Sequence, residues 1–126
     1  MRAEADGDVD ATLATLEEPP VFELHPLGVR FAGRDVVRRY YEWLLHTFVH
    51  CQRGTELRGE YVGDDAVAHE YTMRVQMPDG QLASFGVVAV LQAGEHALAG
   101  ERVYADPVLA RMMVGPVLEE AVPISS

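Results

Sequence analysis

The segment VFELHPLGVRFAGRDVVRRYYEWL, residues 21–44, decides the fold. It starts with a strand-like run, VFELH, turns at proline and glycine, and continues into a helix predicted over residues 34–49. That helix has a broad apolar face, which indicates that it is covered on more than one side. The residues on this face are Val36, Val37, Tyr40, Tyr41, Trp43, Leu44 and Phe48.

The pattern on either side of this segment predicts an α+β domain. Residues 6–18 favour a short helix that Pro19 and Pro20 end, and residues 26–35 read as a turn-rich connection. Four strand-like segments follow, and Asp106 caps a short helix before a C-terminal tail, residues 115–126. The strand-like segments are residues 55–63, 66–77, 81–92 and 97–105. Such an order predicts a bent antiparallel sheet with helices over one face, enclosing a concave space where small molecules bind.

Composition excludes several classes of function. The 126 residues fit one domain, 1–126, and the net charge of −10 argues against nucleic acid or an anionic membrane as a partner. The chain has no lysine, which excludes Schiff-base catalysis and a P-loop. Cys51 is the only cysteine, no metal-ligand motif occurs, and no signal peptide or membrane-spanning run is recognisable. We therefore predict a cytoplasmic protein with neither a metal nor a cofactor.

The order of elements and several local motifs resemble the nuclear transport factor 2-like superfamily, in particular its SnoaL-like polyketide cyclase and ketosteroid isomerase branches. The matching stretches are GDVDATLATL, FELHP, GRDVVRRYYEWL, MPDG before an apolar strand, and GERVYADPVLARMMVG. The resemblance implies a cone-shaped, curved antiparallel sheet packed on helices around a central pocket, also called cystatin-like. It also implies a shortened first helix here, and a homodimer formed through the outer face of the sheet.

His25, in the LHP motif, is the first candidate catalytic residue. The resemblance places it where the isomerase branch carries its general base, and an imidazole titrates close to neutral pH. We expect its ring to point into the cone, within hydrogen-bond range of Glu101 or Glu70. A loop histidine in solvent, or a hydrogen-bonded core histidine, is the alternative.

Glu101 and Glu70 are the candidate carboxylates. Strand alternation places Glu101 on the same face as Val103, where the resemblance puts the cyclase acid; a rim ion pair is the alternative for Glu101. In the strand 66–77, alternation instead buries a row that contains no glutamate. That row is His69, Tyr71, Met73, Val75 and Met77. The resemblance through MPDG places Glu70 and Thr72 in the pocket, so we expect the apolar row to form the dimer interface.

The remaining predicted site residues are apolar or aromatic. Phe22, Tyr40, Trp43, Thr72, Val88 and Val103 are the predicted substrate-binding residues. The resemblance implies a cofactor-free isomerase, cyclase or hydratase that acts on an apolar, carbonyl-bearing molecule by acid–base chemistry. A non-catalytic module that binds an apolar ligand, or a dimeric interaction protein, is the alternative.

Overall fold

The computed structural model describes residues 9–95 and 98–124, giving only the backbone for residues 17–20. The helices are α1 (Val9–Leu13), α2 (Arg34–His46) and α3 (Pro107–Val114), and 3-10 helices span Phe48–Cys51 and Gly115–Glu120. The strands are β1 (Leu16–His25), β2 (Val29–Ala32), β3 (Gln52–Val62), β4 (Ala66–Gln76), β5 (Leu82–Ala93), β6 (Leu98–Tyr104) and β7 (Val122–Pro123).

The strands form one curved, unclosed sheet in the order β3-β4-β5-β6-β1-β2-β7. The predicted α+β class and cone-like architecture are confirmed. One pair departs from the predicted antiparallel arrangement, because β1 runs parallel to its neighbour β6. The β1–β2 hairpin is thereby placed in the interior of the sheet.

The boundaries near the start of the chain differ from those predicted. Within the described residues the first helix covers only Val9–Leu13, and the chain is already extended at Leu16. The two prolines lie where the pairing of β1 with β6 shifts register, between Leu16 and Val21, so the strand continues past them through an irregularity. The start of the predicted helix, residues 6–8, lies outside the described residues.

Two segments predicted to be irregular are parts of the fold. The connection over residues 26–35 contains β2, which pairs with β1 around a turn in which Gly28 has a φ of 68°. In the predicted tail, Gly115–Glu120 form a 3-10 helix with Val117 buried, and β7 pairs with β2. The prediction of a tail over residues 115–126 is therefore wrong for most of that segment.

The helices cover one face of the sheet, here called the concave face. Phe22 and Leu24 of β1 point to it and are at most 1% exposed, as is Tyr40 of α2. The rings of Phe22 and Tyr40 lie 4.2 Å apart. At the end of the sheet, Asp106 caps α3 as predicted, because its Oδ1 accepts a 2.8 Å hydrogen bond from the Val108 N–H.

Strand β4 follows its own alternation. Met73 and Val75 are buried, and Tyr71 packs against the same core, so the apolar row lies on the concave face. The expectation that this row forms an outer interface is therefore wrong. The homodimer itself stays a prediction, and an interface on the outer face of the sheet would use the opposite side of β4.

Candidate functional site

A cavity of about 370 Å³ lies between α2 and the concave face of the sheet. It is lined by Tyr40, Leu44, Leu45, Val49, Gln52, Thr55, Tyr71, Met73, Glu101, Val103 and Met113. Tyr40, Val103 and Met113 are each at most 3% exposed and form its floor, whereas Val49 is 40% exposed and marks its mouth. Its volume is within the range of about 300–1,000 Å³ that is typical of small-molecule pockets.

Glu101 is the one carboxylic acid among the described residues that line the cavity. It projects from β6 on the same face as Val103, because side chains two residues apart share a face. The hydroxyl of Tyr41, a residue that is only 3% exposed, donates a hydrogen bond of 3.4 Å to Glu101 Oε1. Glu101 thus lies within reach of a buried phenol, through a long hydrogen bond, at the wall of a largely apolar space.

His25 does not line this cavity. It pairs in register with Tyr104 on the opposite, convex face of the sheet, and its ring stacks on the Tyr104 ring with centroids 4.5 Å apart. Its Nε2 lies 3.3 Å from Glu23 Oε1, and both side chains are a little over one quarter exposed. The expectation that His25 points into the cone beside Glu101 or Glu70 is wrong, and the catalytic role predicted for His25 loses its geometric basis.

Glu70 also lies on the convex face. It is exposed and accepts a 3.0 Å hydrogen bond from the Tyr61 hydroxyl, which raises the pKa of Tyr61. Thr72 lies two residues along the same strand, and Val88 is the register partner of Glu70 on β5. The predicted pocket positions of Glu70, Thr72 and Val88 are therefore wrong. The resemblance assigned these three residues to the concave face, but in β4 and β5 that face is formed by the residues on either side of them.

Tyr40 and Val103 line the cavity as predicted, but the other two aromatic residues do not. Phe22 lies beneath Tyr40 in the core, 1% exposed. The Trp43 indole N–H donates a 3.0 Å hydrogen bond to the Met112 carbonyl, which fixes the ring between α2 and α3. Phe22 therefore packs behind the lining residue Tyr40, and Trp43 lines a separate surface pocket with Arg39 and Glu120.

Several lining residues were missed from the sequence. Tyr71 and Met73 had a signal, since the alternation of β4 already placed them on the buried face. Tyr41, which does not line the cavity but donates a hydrogen bond to Glu101, had a signal as well, because it shares the apolar face of α2. Nothing in the sequence indicated that Gln52 and Thr55 would line the cavity, because β3 begins directly after a 3-10 helix and has an irregular register with β4.

No metal centre is formed by the described ranges. Residues 9–95 and 98–124 contain no group of three or more histidine, cysteine, aspartate or glutamate side chains placed to hold a metal ion. None of the helices in those ranges has the length and apolar character needed to cross a bilayer.

Comparison with solved structures identifies the class of fold, that of the nuclear transport factor 2-like proteins. A protein of this class from Cytophaga hutchinsonii superposes with a TM-score of 0.69 at 11% identity, over 83% of this chain and 91% of that one. No family model and no curated protein matches the sequence. At this identity the likeness defines the fold alone.

Two further neighbours carry functional names. A steroid delta-isomerase from Pseudomonas aeruginosa has a TM-score of 0.68 at 14% identity, over 94% of this chain and 82% of that one. A protein named as a polyketide cyclase from Xanthomonas campestris pv. campestris has a TM-score of 0.61 at 21% identity, over 89% of both chains. The predicted resemblance to the nuclear transport factor 2-like and SnoaL-like proteins is thus confirmed at the level of the fold.

Proposed function

We propose that this chain is a small-molecule enzyme that moves a proton on an apolar, carbonyl-bearing substrate without a cofactor, with Glu101 as the acid–base group. The observation that carries the proposal is the position of Glu101. This carboxylate borders a cavity of about 370 Å³ and accepts a hydrogen bond from the buried Tyr41 hydroxyl. General acid–base catalysis needs a titratable group of this kind within reach of the substrate proton.

The chemistry requires one carboxylate and a hydrogen-bond donor. The Glu101 carboxylate takes a proton from the carbon beside the carbonyl; the electron pair of the broken C–H bond forms a carbon–carbon double bond, and the π pair of the carbonyl moves onto its oxygen. The resulting enolate oxygen needs a donor, which Tyr40 or Tyr71 of the lining can supply. If the proton on Glu101 is first replaced by one from solvent, its delivery to the same carbon completes an exchange. Delivery of a proton to a conjugated carbon of an unsaturated ketone completes an isomerisation.

The surroundings of Glu101 favour this use. The floor residues Tyr40, Val103 and Met113 are almost fully buried, so a bound substrate would lose much of its contact with water there. Charges that form in such a space interact more strongly than they do in bulk water. The isomerase and the polyketide cyclase among the structural neighbours support chemistry of this type on the same fold.

A non-catalytic binding module is the second candidate. It is favoured by the lining itself, because most of the lining side chains are apolar. A purely structural role, in which the cone is filled by its own side chains, is disfavoured by the size of the cavity. The two candidates differ in whether Glu101 exchanges protons with a bound ligand.

Proton exchange in heavy water tests the proposal. Neutral ketones with acidic α-protons, such as 2-tetralone and 3-cyclohexenone, are incubated with the protein in D₂O, and proton loss is followed by NMR. We expect the wild-type protein to accelerate exchange, and Glu101→Gln to lower the enzyme-dependent rate by about 100-fold or more. Glu119→Gln, which removes an exposed carboxylate outside the cavity, is the matched control and should leave the rate unchanged.

Two results would contradict the proposal. Equal exchange rates in the wild-type protein and Glu101→Gln would show that Glu101 is not the acid–base group. Saturable ketone binding without any enzyme-dependent exchange would leave the binding module as the function.

A further inference from the structure

We infer that the substrate of the cavity is elongated and ends in a hydroxyl group, which the side chains of Glu60 and His69 bind in a second hollow of the concave face. This inference rests on the proposed function in taking the cavity as the site. It adds the length of the substrate and the chemistry of its far end. It follows from where the second hollow lies and from which hydrogen-bonding atoms it offers.

The second hollow has a volume of about 350 Å³. All of its lining residues belong to β3, β4, β5, β6 or the β3–β4 turn, so none of the described helices lines it. Its apolar side chains Val67, Leu91 and Leu98 are only half-buried, which leaves apolar surface that a ligand can cover. The lining consists of Glu60, Gly63, Asp64, Asp65, Ala66, Val67, His69, Leu91, Ala93 and Leu98.

The second hollow adjoins the cavity on the same face of the sheet. His69 of the second hollow lies two residues from Tyr71 of the cavity along β4, and side chains two residues apart share a face. Leu91 of the second hollow is the register partner of Glu101 on the next strand. Neighbours of these two kinds lie about 5–7 Å apart. A ligand that extends beyond the cavity in this direction therefore enters the second hollow.

A row of register partners sets the length of such a ligand. His69 pairs with Ala89 on β5, and Ala89 pairs with Val103 at the floor of the cavity. Two strand spacings therefore separate His69 from Val103, a distance of about 10 Å. A molecule that contacts both residues needs a length of about two linked six-membered rings.

The Glu60–His69 pair determines which group the far end should carry. His69 Nε2 donates a 2.7 Å hydrogen bond to Glu60 Oε2, because an ionised carboxylate can only accept. In the neutral ring, Nδ1 is then an acceptor, and it has no hydrogen-bond partner among the described residues. The His69 side chain is 31% exposed, so a ligand can reach it. A hydroxyl group of the ligand can donate to this nitrogen.

The other polar side chains of the second hollow are acceptors as well. Asp64 and Asp65 contribute carboxylates, and none of the described lining residues is arginine or lysine. An ether or a carboxylate at the far end of the ligand would find no side-chain donor there to replace its hydrogen bonds to water, which is costly. A hydroxyl group would keep a hydrogen bond, so the lining favours it.

Three ketones built on the same two rings test the inference by isothermal titration calorimetry. 4-(4-Hydroxyphenyl)cyclohexanone, 4-(4-methoxyphenyl)cyclohexanone and 4-phenylcyclohexanone end in a hydroxyl group, an ether and a hydrogen atom. We expect the hydroxyl compound to bind the wild-type protein about three- to tenfold more tightly than the phenyl compound, the value of one net hydrogen bond. The methoxy compound should bind no more tightly than the phenyl compound.

Variants locate the effect. His69→Leu should reduce the advantage of the hydroxyl compound to less than about twofold, and Glu60→Gln should reduce it partly, because the ring loses the carboxylate that orients it. Glu70→Gln makes the same change in charge on the convex face of β4 and should retain the full advantage. Circular dichroism of each variant confirms that the fold is retained before its affinities are compared.

A shorter compound tests whether one ligand spans both hollows. 4-Hydroxycyclohexanone carries the same two functional groups on a single ring, which is too short to contact both Val103 and His69. We expect it to bind the wild-type protein and His69→Leu with equal affinity. A loss of affinity in His69→Leu as large as that of the two-ring compound would show that the second hollow binds hydroxyl compounds independently of the cavity, and would overturn the inference.

The inference is also overturned if none of the three two-ring ketones binds, if all three bind equally, or if the advantage of the hydroxyl compound survives in His69→Leu. These outcomes are separate from those of the exchange assay, which follows proton loss beside the carbonyl. Enzyme-dependent exchange without an advantage for the hydroxyl compound would sustain the proposed function and remove the second hollow from the site. An advantage for the hydroxyl compound without exchange would support the elongated ligand and leave a binding module as the function.

Discussion

The two faces of the sheet each carry a partly buried glutamate beside an aromatic side chain, but only one face encloses a space. On the concave face, Glu101 accepts a hydrogen bond from Tyr41 and borders a cavity of about 370 Å³. On the convex face, Glu23 lies beside His25 and lines only a groove of about 140 Å³. The Glu23–His25 pair, which contains the only histidine of the two sites, thus has less room beside it for a substrate.

A single step along the backbone separates the two environments. Leu24 pairs with Val103 on the concave face, and the next residue, His25, pairs with Tyr104 on the convex face. Successive side chains of a strand point to opposite faces, so a shift of one residue would exchange them. The alternation of the strand therefore decides which titratable side chain lies in the enclosed space and can serve as a site.

The largest expected effect is a loss of stability when a core side chain of the concave face is removed. Phe22→Ala removes a ring that is 1% exposed and lies 4.2 Å from the Tyr40 ring, and we expect the free energy of unfolding to fall by about 3–5 kcal/mol. Glu23→Ala, one residue along on the convex face, should cost less than about 1 kcal/mol. Urea denaturation of both variants makes the measurement, and similar losses would contradict the assignment of the two faces.

A smaller effect compares the two polar pairs in the exchange assay. Tyr41→Phe removes the hydroxyl that donates to Glu101 and should lower the exchange rate by about three- to tenfold. That is about 1 kcal/mol, a small value for a hydrogen bond to a carboxylate, in keeping with its length of 3.4 Å. His25→Ala removes a ring on the convex face and should leave the rate within about twofold of wild type. A large loss in His25→Ala with an unchanged fold would restore the histidine as the site.

The smallest effect concerns the convex face alone. The hydrogen bond from Tyr61 to Glu70, together with the charge of Glu70, raises the pKa of the Tyr61 phenol. Because the pKa is raised in the folded state, this contribution to stability is complete below a pH of about 10 and is lost as the pH rises through the raised value. We expect Glu70→Gln to lower the pKa of Tyr61 in an ultraviolet tyrosinate titration.

Tyr61→Phe identifies the signal of this residue among the five tyrosines of the chain. A titration of Tyr61 that does not change in Glu70→Gln would show that the convex-face hydrogen bond has no influence on the phenol.

The sequence carried most of the architecture but not its two irregular parts. Periodicity was sufficient for α2, β4, β5 and β6, which each contain buried residues, whereas β3 was predicted from a weaker alternation and has no buried residue. It failed for β2, which has four residues with a partly buried Arg30, and for the first half of β1, where two prolines resembled a helix end; the second half, VFELH, was predicted as a strand. These segments are held by pairing with β6 and β7, which no local pattern reveals.

For the candidate site, strand parity predicted more than resemblance did. Alternation alone placed Glu101 with Val103, and Tyr71 with Met73, and the structure has the same groupings. It also placed His25 on one face with Glu23, but it could not say which face is covered. That depends on where α2 packs, and packing of a helix across a sheet is a non-local property.

The parallel seam between β1 and β6 has a consequence for how this molecule is made. The edge of β1 that contains Leu24 can pair with β6 only after Val103 has been synthesised. Nearly the whole chain therefore has to leave the ribosome first. Until then the nascent β1–β2 hairpin carries an open edge beside the apolar side chains of Phe22 and Phe31. Contacts so distant in sequence slow folding and prolong the time during which aggregation competes with it. The pairing of β1 with β6, which places Glu101 beside Phe22, therefore also lengthens the interval between synthesis and completed folding.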